Sequence, residues 1–198
     1  MQIKDLILLL KKNYVNLTKV DSKERLNTTQ DSYLVDKNDK IIGLNLKNID
    51  LLEIYKNILK IESLLYLNLI NVNIKNLESV NFLCKNLQSL DLSFNGLKEF
   101  PKEIVELKNL QSLDLSRNEF TALPKEIVEL KNLQSLYLSF NGLKEFPKEI
   151  VELKNLQSLN LSGNELKELP KEIVELKNLQ SLNLSGNGFT ALPKEIVE

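Results

Sequence analysis

The sequence repeats at a fixed interval of 23 residues, and this period restricts the fold more than any other feature. Proline returns at that interval, as Pro101, Pro124, Pro147, Pro170 and Pro193. Asparagine does the same, as Asn95, Asn118, Asn141, Asn164 and Asn187. A period of about 20–50 residues is typical of solenoids, in which each unit is too small to bury its own apolar residues and stacked units share one core. The chain is therefore expected to be a stack of short, equivalent units.

Each unit carries the pattern Leu-x-x-Leu-x-Leu-x-x-Asn-x-Leu/Phe. Its five clear copies begin at Leu87, Leu110, Leu133, Leu156 and Leu179. Two weaker copies, with an apolar residue in place of the Asn, begin at Ile41 and Leu64. The Leu-x-Leu step has the period of a β-strand, so both Leu side chains point to one face and the residue between them points to the other. The pattern predicts seven units from Ile41 onward, with their strands joined in a parallel ladder.

The Asn and the Pro of each unit have structural interpretations. The Asn side-chain amide can satisfy backbone groups where the chain leaves the strand. The fixed φ of Pro suits the first position of a short helical turn. After Pro124, we expect Ile127 and Leu130 to face the core. The charged residues of this segment are expected to face solvent, with Lys125 and Glu129 forming an ion pair four residues apart.

These patterns resemble the leucine-rich repeat family, in the short form whose convex segment reads Leu-Pro-x-x-Ile-x-x-Leu-x-x-Leu. The run Leu-Pro-Lys-Glu-Ile, followed by Leu-Lys-Asn-Leu-Gln, is similar to repeats of bacterial proteins, including those of pathogenic spirochaetes. The resemblance covers about four-fifths of the chain. It implies an α/β repeat solenoid that is curved, with a parallel β-sheet on the concave face and short helical or 3-10 turns on the convex face. It also implies that the protein binds other proteins through its concave face.

Residues 1–40 lack the repeat and are interpreted as an N-terminal cap, made of a helix and a β-hairpin, ahead of seven repeats over residues 41–198. The helix would carry one apolar face, formed by Ile3, Leu6, Ile7, Leu10 and Tyr14. The hairpin would turn at Lys37-Asn38. No polar capping segment follows the seventh repeat, and capping repeats are normally needed for solubility. This predicts self-association through the C-terminal end, with a truncated product of repeat expansion as the alternative.

Composition excludes several classes of function. The chain has no His and one Cys, so a Ser-His-Asp triad, a His-ligated metal and an internal disulfide are all ruled out, and Cys84 is interpreted as a small core residue. A net charge of −1 gives no electrostatic case for nucleic acid or an anionic membrane. The apolar run Leu6–Leu10 is too short for a signal peptide or a membrane span. We expect a non-enzymatic protein without cofactors, located in the cytoplasm or exported by another route.

Differences between the repeats fall in two columns, whereas the convex segment Pro-Lys-Glu-Ile-Val-Glu-Leu-Lys-Asn-Leu-Gln-Ser-Leu occurs in four identical copies. One column lies between the two strand Leu residues: Asn45, Asn68, Asp91, Asp114, Tyr137, Asn160 and Asn183. The other directly precedes the Asn: Asn48, Asn71, Phe94, Arg117, Phe140, Gly163 and Gly186. Strand alternation places the first column on the solvent-facing, concave side, and the second column lies beside it at the end of the same strand.

Aromatic residues and Arg are enriched at interface hot spots. The candidate partner-binding residues are therefore the chemically distinctive members of these columns together with two apolar concave residues: Tyr66, Ile70, Asp91, Phe94, Asp114, Arg117, Tyr137 and Phe140. Neutral drift after recent duplication is the alternative explanation for the differences. The resemblance implies a protein partner, which for a bacterial protein could be a host cell-surface protein of the cadherin or innate immune receptor class, bound as a virulence-associated adhesion step. The alternative is an intracellular scaffold or regulator of the producing cell.

Overall fold

The computed structural model describes residues 3–11, 16–28, 30–51, 55–74, 84–191 and 193–196. Within these ranges nine strands form one sheet in chain order. The strands are β1 Thr18–Val20, β2 Ser32–Val35, β3 Ile41–Lys47, β4 Tyr66–Ile70, β5 Ser89–Asp91, β6 Ser112–Asp114, β7 Ser135–Tyr137, β8 Ser158–Asn160 and β9 Ser181–Asn183. Neighbouring strands are parallel except for β2 and β3, which pair in antiparallel fashion.

Short helical segments alternate with the strands. Three are α-helical: α1 Ile3–Lys11, α2 Lys23–Thr28 and α3 Tyr55–Ile58. Five are 3-10 turns: η1 Lys102–Glu106, η2 Lys125–Glu129, η3 Lys148–Glu152, η4 Lys171–Glu175 and η5 Lys194–Ile196. The sheet is open and the turns lie on its other side, so the predicted curved solenoid with a strand-lined concave face is confirmed. None of the helices in the described ranges is long and apolar enough to cross a bilayer.

Leucine columns build the core because the strands stay in register at the 23-residue period. Leu90 pairs with Leu113, and Leu113 pairs with Leu136 on the next strand, and all three are at most 1% exposed. Cys84 is buried in the same core, as predicted. Burial raises the pKa of its thiol to about 11, so this group stays protonated at neutral pH.

The Asn of each clear repeat satisfies backbone groups of two neighbouring repeats, which confirms its structural interpretation. Asn118 is 7% exposed. Its Nδ2 donates to the carbonyls of Leu92 at 3.1 Å and Leu115 at 3.0 Å. Its Oδ1 accepts the N–H of Leu97 at 2.9 Å. We call the column Asn95, Asn118, Asn141, Asn164 and Asn187 the asparagine ladder. The ladder holds the turns of successive repeats together inside the stack.

The convex turns corrected two details of the sequence interpretation. Pro124 does not occupy the first helical position, because its φ of −73° and ψ of 149° are extended and its carbonyl accepts the N–H of Ile127 as an N-cap residue does. Ile127 and Leu130 face the core as expected. Glu129, however, bonds to Lys108 of the preceding repeat at 3.2 Å and not to Lys125. A 3-10 turn has three residues per turn, so residues four apart do not face each other as they do in an α-helix.

The N-terminal segment contributes to the core at the start of the stack. Leu6 and Leu10 of α1 are fully buried in the main core, and Ile7 is half-buried. Tyr14, which also belongs to the predicted apolar face, lies outside the described residues, as does the side chain of Ile3. The division into a cap over residues 1–40 and repeats over residues 41–198 stays a prediction.

Helix α2 packs on the concave side of the first strands, which the sequence did not predict. A Cβ at Gly43 of β3 would lie 2.6 Å from Cδ2 of Leu26, so Leu26 fits only because residue 43 has no side chain. Leu26 forms a small second core with Val20 and Leu34. As a result, the expectation that Asn45 and Asn68 face solvent is wrong: they are 0% and 7% exposed.

Candidate functional site

The concave face holds a groove of about 300 Å³ that begins at α2. Its lining residues come from α2 and from strands β3 to β7: Asn27, Lys47, Asn68, Ile70, Ser89, Leu90, Asp91, Ser112, Asp114 and Tyr137. Asn27 Oδ1 accepts a hydrogen bond from Asn68 Nδ2 at 3.1 Å, which fixes α2 to the sheet. The groove therefore has a closed end at α2 and runs along the ladder away from it.

Two carboxylates lie side by side in this groove. Asp91 and Asp114 are partners in the register of β5 and β6, and both are half-buried. Their Oδ1 atoms accept the N–H groups of Ser93 at 2.9 Å and Ser116 at 2.8 Å, which orients both side chains. Burial, with the nearby charge of Asp114, raises the pKa of Asp91 to about 6, and burial also raises the pKa of Asp114. The floor of the groove thus carries negative charge that is poorly solvated.

A second feature lies just beyond the carboxyl ends of β5, β6 and β7. The guanidinium carbon of Arg117 lies 4.2 Å from the ring centroid of Phe140 and 5.0 Å from that of Phe94. The two rings are exposed, at 49% for Phe94 and 50% for Phe140. We call Phe94, Arg117 and Phe140 the Phe–Arg–Phe stack. It presents two apolar rings and one cation on a single surface.

All three residues of the stack have a backbone conformation that their side chains disfavour. Their φ angles are +62° for Phe94, +55° for Arg117 and +53° for Phe140. This left-handed region costs an L-residue with a Cβ about 1–2 kcal/mol, and bulky residues are genuine outliers there. The backbone is nevertheless held firmly, because the N–H groups of these residues donate to the carbonyls of Ser116, Ser139 and Ser162 at 2.8–3.1 Å.

The next repeat provides room for the second ring. Gly163 occupies the same column, with φ +66°, and a Cβ on it would lie 2.7 Å from Cδ1 and 2.9 Å from Cε1 of Phe140. The ring of Phe140 therefore lies over Gly163 on one side and against Arg117 on the other. A side chain at position 163 would displace the ring from the stack.

The eight predicted site residues fall into two groups and one outlier. Four line the groove, namely Ile70, Asp91, Asp114 and Tyr137. Three form the Phe–Arg–Phe stack. Tyr66 stands apart, because it is half-buried against the second core and the Nζ of Lys23 in α2 lies 4.6 Å from its ring.

Sequence reasoning missed four groove residues: Asn27 of α2, Lys47 at the end of β3, and Ser89 and Ser112 of the constant serine column. It also missed the left-handed backbone of the stack. A signal for that backbone was present, since the same column holds Asn48, Asn71, Gly163 and Gly186, the residue types that adopt positive φ most readily. For the contact between α2 and the concave face, no repeat-derived signal existed.

Comparison with known proteins agrees with this architecture. The family profile described as leucine rich repeat matches residues 62–120, 85–143 and 131–189. No curated protein sequence matches the chain. The structure of an internalin C2 from Listeria monocytogenes is 25% identical, with a TM-score of 0.65, over 76% of this chain and 64% of that one.

Two further solved structures extend the comparison. A leucine-rich repeat protein of Leptospira interrogans is 35% identical, with a TM-score of 0.54, over 78% of this chain and 51% of that one. The plant peptide hormone receptor RGFR1, solved in complex with RGF2, is 30% identical, with a TM-score of 0.61, over 78% of this chain and 25% of that one. The chain thus spans less than two thirds of the length of each of these three structures.

Proposed function

The chain belongs to the leucine-rich repeat family, whose profile matches residues 62–189, and from this premise we propose that it is a non-enzymatic module that binds a protein partner through its concave face. We place the centre of the binding surface at the Phe–Arg–Phe stack and the adjoining groove. The family supports the general role, since leucine-rich repeats serve as protein-interaction modules.

The observation that carries this proposal is the strained backbone of Phe94, Arg117 and Phe140. Backbone strain persists where the surrounding structure enforces it, and such residues cluster at functional sites. Neutral drift at an exposed position favours residues that the backbone tolerates, as Gly163 and Gly186 illustrate in the same column. Two exposed Phe rings at strained positions are therefore better explained by binding than by drift.

A rigid sheet also favours binding. The stack and the groove residues are held by ladder hydrogen bonds, so little conformational entropy is lost when a partner docks. Aromatic residues and Arg are the types that most often dominate binding energy at protein interfaces. In contrast, the four convex segments that begin at Pro101, Pro124, Pro147 and Pro170 are identical and carry both Lys and Glu, so they offer nothing that discriminates between partners.

We propose further that the partner is a host cell-surface protein, of the cadherin or innate immune receptor class, and that the protein is a virulence-associated bacterial factor. Similarity to an internalin of Listeria monocytogenes and to a leucine-rich repeat protein of Leptospira interrogans supports this extension. An intracellular scaffold that binds a partner in the producing cell would use the same surface. Immunoblots of surface-labelled cells and of culture supernatant separate the two, because absence from both contradicts the host-receptor proposal.

The binding surface is tested with the combined variant Phe94→Ala, Arg117→Ala, Phe140→Ala. Partners are first captured on the wild-type chain from host surface extract and from native cytosol, and their affinities for the variant are then measured. We expect a loss of at least about 100-fold for a partner centred on the stack. The matched control is Lys125→Ala, Lys148→Ala, Lys171→Ala on the convex arcs, which we expect to leave affinity within about twofold.

Unchanged affinity for the stack variant, in a chain whose circular dichroism matches wild type, would move the site away from the stack. Self-association through the last repeat also stays a prediction, and sedimentation of the chain over a wide concentration range tests it.

A further inference from the structure

We propose that the Phe–Arg–Phe stack recognises one carboxylate side chain, a Glu or Asp of the protein partner, that is flanked by apolar residues. This inference rests on the proposed function and names the chemistry of the partner at the same site. It follows from what the stack leaves exposed on Arg117.

The guanidinium of Arg117 has an aromatic ring from the repeat before it and one from the repeat after it, and Arg117 is nevertheless exposed. The guanidinium carbon lies 4.2 Å from the ring centroid of Phe140 and 5.0 Å from that of Phe94. Among the residues that the structure describes, no carboxylate forms an ion pair with Arg117. The other arginine of the chain differs, since Arg25 Nη1 bonds to Asp21 Oδ2 at 3.1 Å. Arg117 is thus an exposed cation whose N–H donors bind no carboxylate within the described residues.

This geometry matches a carboxylate. A guanidinium edge offers two parallel N–H donors, and a carboxylate has two oxygens at the matching spacing, so the pair forms two charge-assisted hydrogen bonds. The rings hold the guanidinium in one orientation, which lowers the entropy lost when those bonds form. They also reduce the number of water molecules that can surround the guanidinium, and ionic hydrogen bonds are stronger where there is less water.

A phosphate or a nucleic acid fits this surface less well. A phosphate monoester carries close to two negative charges, and a nucleic acid carries a row of singly charged phosphates, whereas the stack supplies a single cation. Asp91 and Asp114 lie on the strands that lead into Phe94 and Arg117, and their charge repels a polyanion. The chain as a whole has a net charge of −1, so no long-range field attracts one. A singly charged carboxylate suffers least from this repulsion.

The apolar flanks follow from the rings. Phe94 and Phe140 are each about half exposed, on either side of the guanidinium. A partner that places apolar side chains next to its acidic residue covers both rings as the ion pair forms. Burial of this apolar area supplies affinity, and the carboxylate supplies specificity.

The test uses the wild-type chain and nuclear magnetic resonance of the arginine Nε–H groups. The sequence has two arginines, so the spectrum contains the signal of Arg117 and that of Arg25 as an internal control. The probes are the peptides acetyl-Leu-Glu-Leu-amide and acetyl-Leu-Gln-Leu-amide, titrated into the millimolar range. We expect the Glu peptide to shift the Arg117 signal saturably, with a dissociation constant at least about tenfold lower than that of the Gln peptide. The Arg25 signal should move little with either peptide.

A second arm tests the rings. The variant Phe94→Ala, Phe140→Ala keeps Arg117 but removes both covers, and we expect it to bind the Glu peptide several-fold more weakly. Equal shifts from the Glu and Gln peptides, equal shifts at Arg25 and Arg117, or no saturable shift at Arg117 would each overturn the inference. The proposed function is judged separately, because a captured partner that loses affinity for the combined Ala variant supports it whatever the peptides do.

Discussion

The middle and the last repeats of this solenoid share one backbone but differ in one column. Before each residue of the asparagine ladder the chain adopts positive φ, both at Arg117 and Phe140 in the middle and at Gly163 and Gly186 near the end. The later repeats use the residue that the conformation favours. The middle repeats use Phe and Arg, so the same local geometry is kept at a higher cost.

The strain in the stack can be compared with the contacts that its side chains make. Three non-Gly residues at positive φ cost about 3–6 kcal/mol together. Two exposed contacts between Arg117 and the Phe rings offset about 1–2 kcal/mol of this. The contacts between Arg117 and the two rings therefore do not by themselves offset the strain of the backbone that carries them. The difference between the two regions therefore indicates that the middle repeats give up stability for a surface, and four measurements can sharpen or break that comparison.

The largest expected effect is on the asparagine ladder. Asn118→Ala leaves buried carbonyl and N–H groups of two repeats without partners, and we expect a loss of about 3 kcal/mol in the free energy of unfolding. Asn187→Ala affects a half-buried site whose partners include Leu161 and Leu184, and we expect about 1 kcal/mol. Equilibrium unfolding in urea measures both. Equal losses would mean that the last repeat is as tightly held as the middle ones.

The second effect isolates the strain of the stack. Phe140→Ala and Phe140→Gly both remove the ring, but only Gly also relieves the positive φ. We expect the Gly variant to be about 1 kcal/mol more stable than the Ala variant, since the relief of strain exceeds the entropic cost of Gly. Urea unfolding of the two proteins gives this difference directly.

Gly163 supplies the control for that measurement. Gly163→Ala introduces a Cβ against the ring of Phe140 as well as strain at φ +66°. In a Phe140→Gly background the contact with the ring is gone, and we expect the cost of Gly163→Ala to fall by about 1 kcal/mol. If the cost is the same in both backgrounds, the ring does not lie over Gly163 and the stack is arranged differently.

The third effect concerns pH. The pKa of Asp91 is about 6 in the folded protein and about 4 in an unfolded chain, so the folded state binds the proton more tightly. Stability from this group is present below pH 4 and is lost as pH rises toward 6. We therefore expect the unfolding free energy of wild type, minus that of Asp91→Asn, to decrease by about 1 kcal/mol from pH 4 to pH 7. This figure is reduced to allow for the partial exposure of Asp91.

The last repeats again provide the comparison for that titration. Asn160 already forms the same bond to the N–H of Ser162, at 3.0 Å, without a charge. Asn160→Asp introduces a carboxylate with Tyr137 and Asn183 as its neighbours in register, so no second carboxylate lies beside it. A weaker pH dependence than that of Asp91 is expected. An equally strong one would show that burial alone, without Asp114, accounts for the shift.

The comparison also separates what the sequence could and could not predict. The solenoid followed from the period, because register and core depend only on residues that repeat, such as Leu113 and Asn118. The stack residues could be singled out because they break the repeat, but their contact could not be predicted. It depends on positive φ at Arg117, which aims a long side chain along the ladder between two rings.

The covering of the concave face by α2 was beyond the reach of the pattern for a different reason. Leu26 lies before the repeats and packs over Gly43 of the first repeat, 17 positions later in the chain. Leu26 has no equivalent in the repeats, so the repeat pattern could not indicate that it would pack where Gly43 stands and the next repeats carry Tyr66 and Ser89. The same contact removed Asn45 from the predicted solvent-facing column.

The smallest effect is expected on the convex side, where the two regions are identical in sequence. Lys108 pairs with Glu129 at 3.2 Å in the middle, and Lys154 pairs with Glu175 at 3.7 Å near the end, with about half of each side chain exposed. Exposed ion pairs contribute little because water and salt screen them, so Glu129→Gln and Glu175→Gln should each cost less than about 0.5 kcal/mol. Urea unfolding at low and high salt measures both, and the two costs should agree and disappear together in salt.

A loss above about 1 kcal/mol for Glu129→Gln alone would mean that the regions also differ on their convex side. The contrast between them could then no longer be assigned to the concave column that holds Phe94, Arg117 and Phe140.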